Sequence, residues 1–122
     1  MIGVKPYSFS RHDRLLRSSE FENVFVRVKH KIRAGQFTLL VRENNYSHPR
    51  IGLIVAKRKI KKATARQRIK RLIRESFRLN KSQMSHWDII CIVQSGAGQR
   101  TNPELFKDLE VAWKKLAAWP IE

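Results

Sequence analysis

Hydrophobic positions along the chain recur with the periods of helices and of strands. Apolar side chains at residues 21–28 follow one another at helical spacing and predict a first helix. The helix is predicted to begin near Ser18 or Ser19, because Ser19 and Glu22 have the spacing of a capping box.

Two segments in the middle of the chain have the pattern of strands. Residues 36–43 alternate in polarity, and residues 50–56 follow after a loop of turn-forming residues, so 36–56 is predicted to be a hairpin. Gly52 predicts a bulge or a close approach of another group to the backbone. The basic residues 29–33 predict a turn that leads into these strands.

A second helix is predicted to begin near Thr64, after a lysine-rich loop at residues 57–63. Thr64 and Gln67 have the spacing of a second capping box. The apolar residues of this helix share one face, which is predicted to be buried: Ile69, Leu72, Ile73 and Phe77.

The last part of the chain predicts one more strand and one more helix. Residues 87–93 are almost continuously apolar, which is typical of a strand buried on both faces. Asn102 is predicted to cap the last helix, with Pro103 at its first position and Pro120 at its end. The predicted order is α-β-β-α-β-α, with room for a short extra strand, in a single domain of 122 residues.

The distribution of charge adds a prediction about function, because the basic residues are concentrated in one segment of the chain. The chain has 26 Lys and Arg against 10 Asp and Glu, a formal net charge of +16. Residues 57–78 contain eleven of the basic residues and only Glu75 as an acid, so they carry +10 of that charge. This concentration predicts an anionic partner, nucleic acid before an anionic membrane.

Weaker interpretations of the basic helix are a solvated face and a membrane-surface helix. A surface that only keeps a protein soluble usually carries charges of both signs, whereas this segment is almost entirely positive. A membrane-surface helix needs a wide exposed apolar face, whereas the apolar face of this helix is predicted to pack into the core. A DNA-binding regulator is a third alternative, but a nearly uniform Arg and Lys face suits phosphate contact and not base readout.

Other features of the sequence narrow the class of protein. No apolar run approaches ~18–20 residues and the N-terminus lacks the apolar core of a signal peptide, so a cytoplasmic protein is expected. Cys91 lies in an apolar run and is predicted to be a buried structural thiol. The four histidines are scattered and show no metal-ligand spacing, so no catalytic or metal-binding residue is expected.

Residues 52–78, GLIVAKRKIKKATARQRIKRLIRESFR, resemble the signature of the bacterial ribonuclease P protein component. In that family a strand leads through a lysine-rich turn into a helix that begins Arg-Asn-Arg and continues with Lys-Arg, Arg-Glu and Phe. SSEFENVF, GQFTLL, HPRIGL and WDIICIV match as well, and the resemblance covers about residues 10 to 118. The chain departs from the family at Gln67, where the family has Asn, and at Gln94 and Ser95, where it often has basic residues.

The resemblance implies an α+β fold, an α/β sandwich of the ribosomal-protein-S5-domain-2-like kind with a left-handed βαβ crossover. It implies that the protein assists a catalytic RNA, whose bound magnesium ions hydrolyse one phosphodiester bond and release the 5′ leader of precursor tRNA. The expected partners are therefore the catalytic RNA and precursor tRNA, with no membrane and no obligate protein partner. Residues 1–10 are expected to lack order before RNA binds. A structural ribosomal protein of related fold is the alternative.

The resemblance also implies two surfaces. The first binds the catalytic RNA, and its predicted residues are Lys57, Arg58, Lys59, Lys62, Arg66, Gln67, Arg68, Lys70, Arg71, Arg74 and Arg78. The second is a leader-binding cleft between the first helix and the sheet, with the predicted residues Phe21, Phe25, Phe37, Arg14 and Arg17. Ordinary core positions are the alternative for the three phenylalanines, and for Phe25 a buried position is favoured.

Overall fold

One mixed sheet of four strands carries helices on both of its faces in the computed structural model, which describes residues 9–119. The elements in chain order are α1 (Ser18–Val26), β1 (His30–Ala34), β2 (Phe37–Glu43), β3 (Arg50–Ile54), α2 (Ala63–Asn80), β4 (Trp87–Val93) and α3 (Asn102–Ala117). Short 3-10 turns lie at Arg11–Asp13, Lys81–Gln83 and Ser95–Gln99. The predictions for residues 1–8 and for Pro120 lie outside the described residues.

The strands lie in the order β1-β2-β4-β3, so the predicted hairpin over 36–56 is wrong. β2 pairs antiparallel with both β1 and β4, whereas β3 pairs with β4, runs parallel to it, and on its other side makes an isolated bridge from Ile51 to Arg14. The hairpin of the structure is β1–β2, which turns at Gly35 with a φ of 55°. β2 and β3 do not pair because β4 lies between them. The apolar residues of β4 need burial on both faces, and this gives β4 a central place in the sheet.

The basic segment 29–33 is not a turn, because most of it forms the edge strand β1. Ile32 and Ala34 are buried, while Lys31 and Arg33 alternate with them on the exposed side. An edge strand tolerates such charges, since they point to solvent and discourage pairing with other chains. The observed order is therefore α-β-β-β-α-β-α, and the predicted α+β class is confirmed.

The larger core lies between the sheet and the pair α2 and α3. The predicted apolar face of α2 is buried there, and Trp113 Nε1 of α3 donates to Ser76 Oγ of α2 over 2.8 Å. The predicted burial of Cys91 is confirmed, and burial raises the pKa of its thiol far above the ordinary value. A smaller core on the opposite face joins α1 to the sheet through Leu15, Val24 and Ile90.

The β3–α2–β4 connection joins neighbouring parallel strands, as the resemblance implies. The handedness of this crossover stays a prediction.

The observed helix caps lie one or two residues before the predicted ones. Glu20, and not Glu22, accepts hydrogen bonds at the start of α1, from the N–H groups of Leu16 and Arg17. The cap of α3 is Thr101, whose Oγ1 accepts from the N–H of Glu104, so Pro103 is its second residue.

The predicted capping box of α2 is also wrong. The helix begins at Ala63, one residue before the predicted cap Thr64, and its start has no side-chain cap. Gln67 is therefore the fifth residue of the helix and not the third, as a capping box requires.

Candidate nucleic-acid interface

Most of the predicted RNA-binding cations have no intramolecular partner. Within residues 9–119, no ion pair or side-chain hydrogen bond engages seven of them: Lys57, Arg58, Lys59, Lys62, Lys70, Arg71 and Arg74. They lie on the loop before α2 and on the side of α2 that faces away from the core. So many uncompensated charges repel one another, and a polyanion bound across them would remove that repulsion.

Three other predicted RNA-binding residues make contacts within the protein. Arg66 reaches back around the start of α2, where its Nη1 donates to the carbonyls of Ile60 and Lys61 at 2.8 Å each. Arg68 donates to Oδ1 of Asn102 and to the carbonyl of Arg100, which fastens α2 to the start of α3.

Arg78 is the third of these residues, and it forms an ion pair with Glu75 one turn earlier in α2. The amide of Gln67 is exposed and has no hydrogen-bond partner within the described part of the chain.

Two arginines from the two predicted surfaces meet in one pocket of about 190 Å³. Arg14 and Arg74 both line it, together with Phe21 and Lys70. Burial, and then the charge of Arg14, lowers the pKa of Arg74. Since none of the described residues that line this pocket is a carboxylate, its charge favours an anion, and it joins the α2 surface to the α1 side of the sheet.

On the α1 side, Phe21 lies directly on the backbone of Gly52. A Cβ atom on Gly52 would stand 2.4 Å from Cζ of Phe21, a distance that no side chain tolerates. The predicted close approach at Gly52 is therefore confirmed. Phe21 is half-buried, and the half-buried Leu40, Ile54 and Ile92 continue this apolar floor across the sheet.

The other predicted cleft residues are distributed differently. Phe25 is 47% exposed, so the expectation that it is buried is wrong. Phe37 cannot line the cleft, because it is fully buried on the opposite face of the sheet. Strand alternation explains this, since Thr38 and Leu40 face α1 while Phe37 and Leu39 face α2 and α3. Arg17 is exposed immediately before α1.

A partly buried charge network that the sequence analysis missed holds α1 against the sheet. Arg50 donates to both oxygens of Asp88, at 2.9 and 2.7 Å, and to Oε2 of Glu20 at 2.8 Å. Asn44 Nδ2 donates to Asp88 Oδ1 at 2.9 Å, and Arg50 also stacks on Tyr46, 4.3 Å from the ring centroid. The available signal was Asp88, an acidic residue inside an otherwise apolar strand.

Titration of this network follows from its contacts. Burial alone would raise the pKa of Glu20, but hydrogen bonds from the backbone of Arg17 and Leu16, and then Arg50, outweigh it and lower that pKa. The hydrogen bond to Asp88 is the largest influence on Arg50 and raises its pKa. Both groups are therefore charged at neutral pH, and the network holds α1 in place with its full strength there.

The part of the chain that the structure describes has neither a cluster of metal-ligand side chains nor a candidate membrane span. Residues 9–119 contain no group of three or more His, Cys, Asp or Glu side chains placed to hold a metal ion. In the same range, no helix combines the length and the apolar character needed to cross a bilayer.

An uncompensated basic helix face beside an aromatic side chain is typical of a nucleic-acid-binding protein, here of the α+β class. The sequence model of the ribonuclease P family matches residues 9–117, so the chain belongs to the ribonuclease P protein component family. This confirms the family that the sequence resemblance implied.

Named relatives agree with this assignment. The ribonuclease P protein component of Pseudomonas paraeruginosa is 44% identical over 108 residues, which cover 88% of this chain and 80% of the relative. That of Pseudomonas fluorescens is 41% identical over 109 residues, which cover 89% of this chain and 82% of the relative.

Solved structures agree as well. The RNase P protein of Staphylococcus aureus superposes with a TM-score of 0.78 at 31% identity, over 84% of this chain and 94% of that one. The RNase P protein from Thermotoga maritima gives a TM-score of 0.74 at 27% identity, over 84% and 96% of the two chains.

Replacement of Gly52 by Ala is expected to displace the ring of Phe21 and to destabilise the protein by about 1–3 kcal/mol, because the added methyl group overpacks this contact. Urea unfolding measures the loss, and the ring resonances of Phe21 report the displacement. Gly98→Ala is the matched control, since its Cβ would meet its nearest neighbour, Ile60 Cδ1, at an ordinary 3.7 Å. Equal stability of the two variants would contradict the contact between Phe21 and Gly52.

Replacement of Glu20 by Gln is expected to lower stability at pH 7 and to leave the protein less sensitive to acid. The pKa of Glu20 is lowered by folding, so its stabilisation is present above its ordinary value of 4.5 and is lost as pH falls through the lower, folded-state value. Urea unfolding between pH 3 and pH 7 checks this, with the exposed Glu22→Gln as control. A stability difference between wild type and Glu20→Gln that does not shrink toward pH 3 would disprove the role of the charge.

Proposed function

We propose that this chain is the protein subunit of ribonuclease P, which works with a catalytic RNA to remove the 5′ leader from precursor tRNA by phosphodiester hydrolysis. The family match over residues 9–117 carries this proposal, because it spans both the basic α2 surface and the groove beside α1. The relatives and solved structures named above are themselves ribonuclease P proteins.

The basic surface of α2 and its preceding loop docks the catalytic RNA. Its unpaired cations, such as Lys62, Lys70 and Arg71, suit a phosphate backbone, and each phosphate neutralised releases counterions from the RNA. Arg66, Arg68 and Arg78 are bonded within the protein, so they contribute charge and hold the shape of the surface. Phosphate contact of this kind positions an RNA without reading its sequence.

The groove beside α1 takes the single-stranded leader. Phe25 offers an exposed ring and Phe21 a half-buried one, and a base stacked on such a ring gains roughly 1–3 kcal/mol with little sequence preference. Arg14, in the pocket with Arg74, and the exposed Arg17 supply positive charge at the edge of this groove. A groove without base-specific contacts accommodates the different leaders of many precursor tRNAs.

The chemical step belongs to the RNA in this proposal. Magnesium ions held by the RNA subunit, and not by the protein, would supply the hydrolytic chemistry, while the protein binds leader and RNA and stabilises the active RNA. Its own residues have no catalytic role. Phosphate neutralisation by the protein lowers the magnesium concentration that the folded RNA needs, which predicts the largest effect of the protein at low magnesium.

A structural ribosomal protein of related fold was the alternative on sequence. Such a protein has no need for the aromatic groove, and the 47% exposure of Phe25 favours the subunit of ribonuclease P.

The direct experiment adds the purified protein to its cognate RNA subunit at low magnesium and follows cleavage of precursor tRNA. The expected result is strong stimulation over the RNA alone, with release of a leader and a 5′-phosphorylated tRNA. Absence of any stimulation, together with co-purification of the protein with ribosomal subunits, would favour the ribosomal alternative.

Replacement of Arg71 by Ala is expected to weaken binding of the RNA subunit and to reduce the slope of log affinity against log salt by up to about one unit. Filter binding over a series of salt concentrations measures both. Lys114→Ala, an exposed position on α3, is the matched control and should leave the slope unchanged.

Phe25→Ala supplies the contrast in the same experiments. It removes no charge, so the salt slope for binding of the RNA subunit should stay at the wild-type value. The gain in affinity of the assembled protein and RNA for precursor tRNA that comes from a longer leader should fall. An unchanged slope for Arg71→Ala, or a slope that falls equally for Lys114→Ala, would show that α2 does not meet phosphate.

A further inference from the structure

A groove of about 590 Å³ runs between α2 and α3, on the far side of α2 from the α1 groove. Its apolar surface comes from Ala63, the buried Leu72 and the half-buried ring of Phe106. This volume is within the range of about 300–1,000 Å³ that is typical of small-ligand sites. The ring of Phe106 packs against the core and also lines the groove.

Polar groups without partners surround that apolar surface. Thr64, Gln67 and Arg71 lie along the α2 wall, and none of their side chains has a hydrogen-bond partner within residues 9–119. On the α3 wall, Oδ1 of Asn102 accepts a hydrogen bond from Arg68, and its Nδ2 donors have no acceptor within residues 9–119. The groove therefore offers both donors and acceptors beside an aromatic ring.

This combination suits a planar heterocycle with a polar edge and a nearby negative charge. Sequence-specific recognition of RNA uses this arrangement, in which an unpaired base stacks on an aromatic side chain and hydrogen-bonds along its edge. The positive charge of Arg71 and Arg68 suits the RNA backbone that passes along the edge of the groove, outside the base site itself. Glu75, the acidic residue of the groove, is neutralised by its ion pair with Arg78.

We propose that the groove between α2 and α3 binds one unpaired nucleotide of the RNA subunit, with its base against Phe106 and its edge facing Gln67 and Asn102. The proposal rests on the proposed function, because it names a further contact with the same RNA. It gives the α2 surface a point of base recognition among otherwise sequence-independent phosphate contacts. It also gives a role to Gln67, whose longer amide reaches over the groove where the family pattern has Asn.

The test fills the groove without removing core atoms. Ala63→Met places an unbranched side chain into it from an exposed position in the first turn of α2. Ala117→Met makes the same change at an exposed position at the end of α3 and serves as the control. Affinity for the RNA subunit is measured at several salt concentrations, and urea unfolding confirms that both variants are folded.

Ala63→Met is expected to bind the RNA subunit about 5- to 100-fold more weakly, since the stacking of one base is lost. The salt slope should not change, because no phosphate contact is removed. Gln67→Ala should lose affinity in the same way, whereas Ala117→Met should bind as the wild type does. Wild-type affinity for Ala63→Met would overturn the proposal, and so would a loss accompanied by a smaller slope.

A second readout identifies the nucleotide. A photoreactive aryl azide on Thr64→Cys is attached selectively, because the native Cys91 is buried. It should crosslink to one unpaired nucleotide of the RNA subunit, and crosslinks spread along a duplex would overturn the proposal. Stimulation of precursor tRNA cleavage by the unlabelled wild-type protein tests the proposed function separately, so the two failures are distinguishable.

Discussion

Burial of β4 on both faces is the constraint on which the rest of the structure depends. Its residues Trp87, Ile89, Cys91 and Val93 pack toward α2 and α3, while Ile90 and Ile92 pack toward α1. A strand of this kind must be covered by helices on both sides, since neither apolar face can be left in water. The sheet therefore separates two surfaces, one on the outside of α2 and one beside α1. The proposed docking surface and the proposed leader groove follow from that separation.

The two surfaces differ in whether their charged side chains are paired within the protein. On α2 and its loop, seven of the predicted RNA-binding cations have no carboxylate partner within residues 9–119, which is costly for an isolated protein and useful against a polyanion. Beside α1, the charges of Arg50, Asp88 and Glu20 are paired and hydrogen-bonded, and they position the helix that carries Phe21 and Phe25. The pocket shared by Arg14 and Arg74 connects the two surfaces, so leader and RNA subunit would lie close together at that point.

Local patterns in the sequence were enough to predict most helices and strands, the buried face of α2 and the burial of Cys91. They could not predict strand pairing, because β3 pairs with the apolar strand β4, which lies more than thirty residues later in the chain. The loop next to β3 does not determine this pairing. The edge strand β1 was mistaken for a turn because charges at alternate positions hid its two buried residues. The register of β2 removed Phe37 from the predicted cleft, since one step along a strand changes the face.

For the candidate site, the sequence predicted where the positive charges lie but not which of them form hydrogen bonds or ion pairs within the protein. Which arginines are bonded within the protein depends on contacts with distant residues, such as Arg68 with Asn102. The network of Arg50 escaped notice for the same reason, because Glu20, Arg50 and Asp88 come together only in the folded sheet.

Lysine acetylation footprinting tests the central claim most directly, because it reports on the unmodified protein. The free protein and its complex with the RNA subunit are treated with an acetylating reagent, and each lysine is quantified by mass spectrometry. The structure predicts that the RNA subunit protects Lys57, Lys59, Lys62 and Lys70, while the exposed Lys107 and Lys114 of α3 stay reactive. Equal protection of both sets, or protection of the α3 lysines alone, would contradict it.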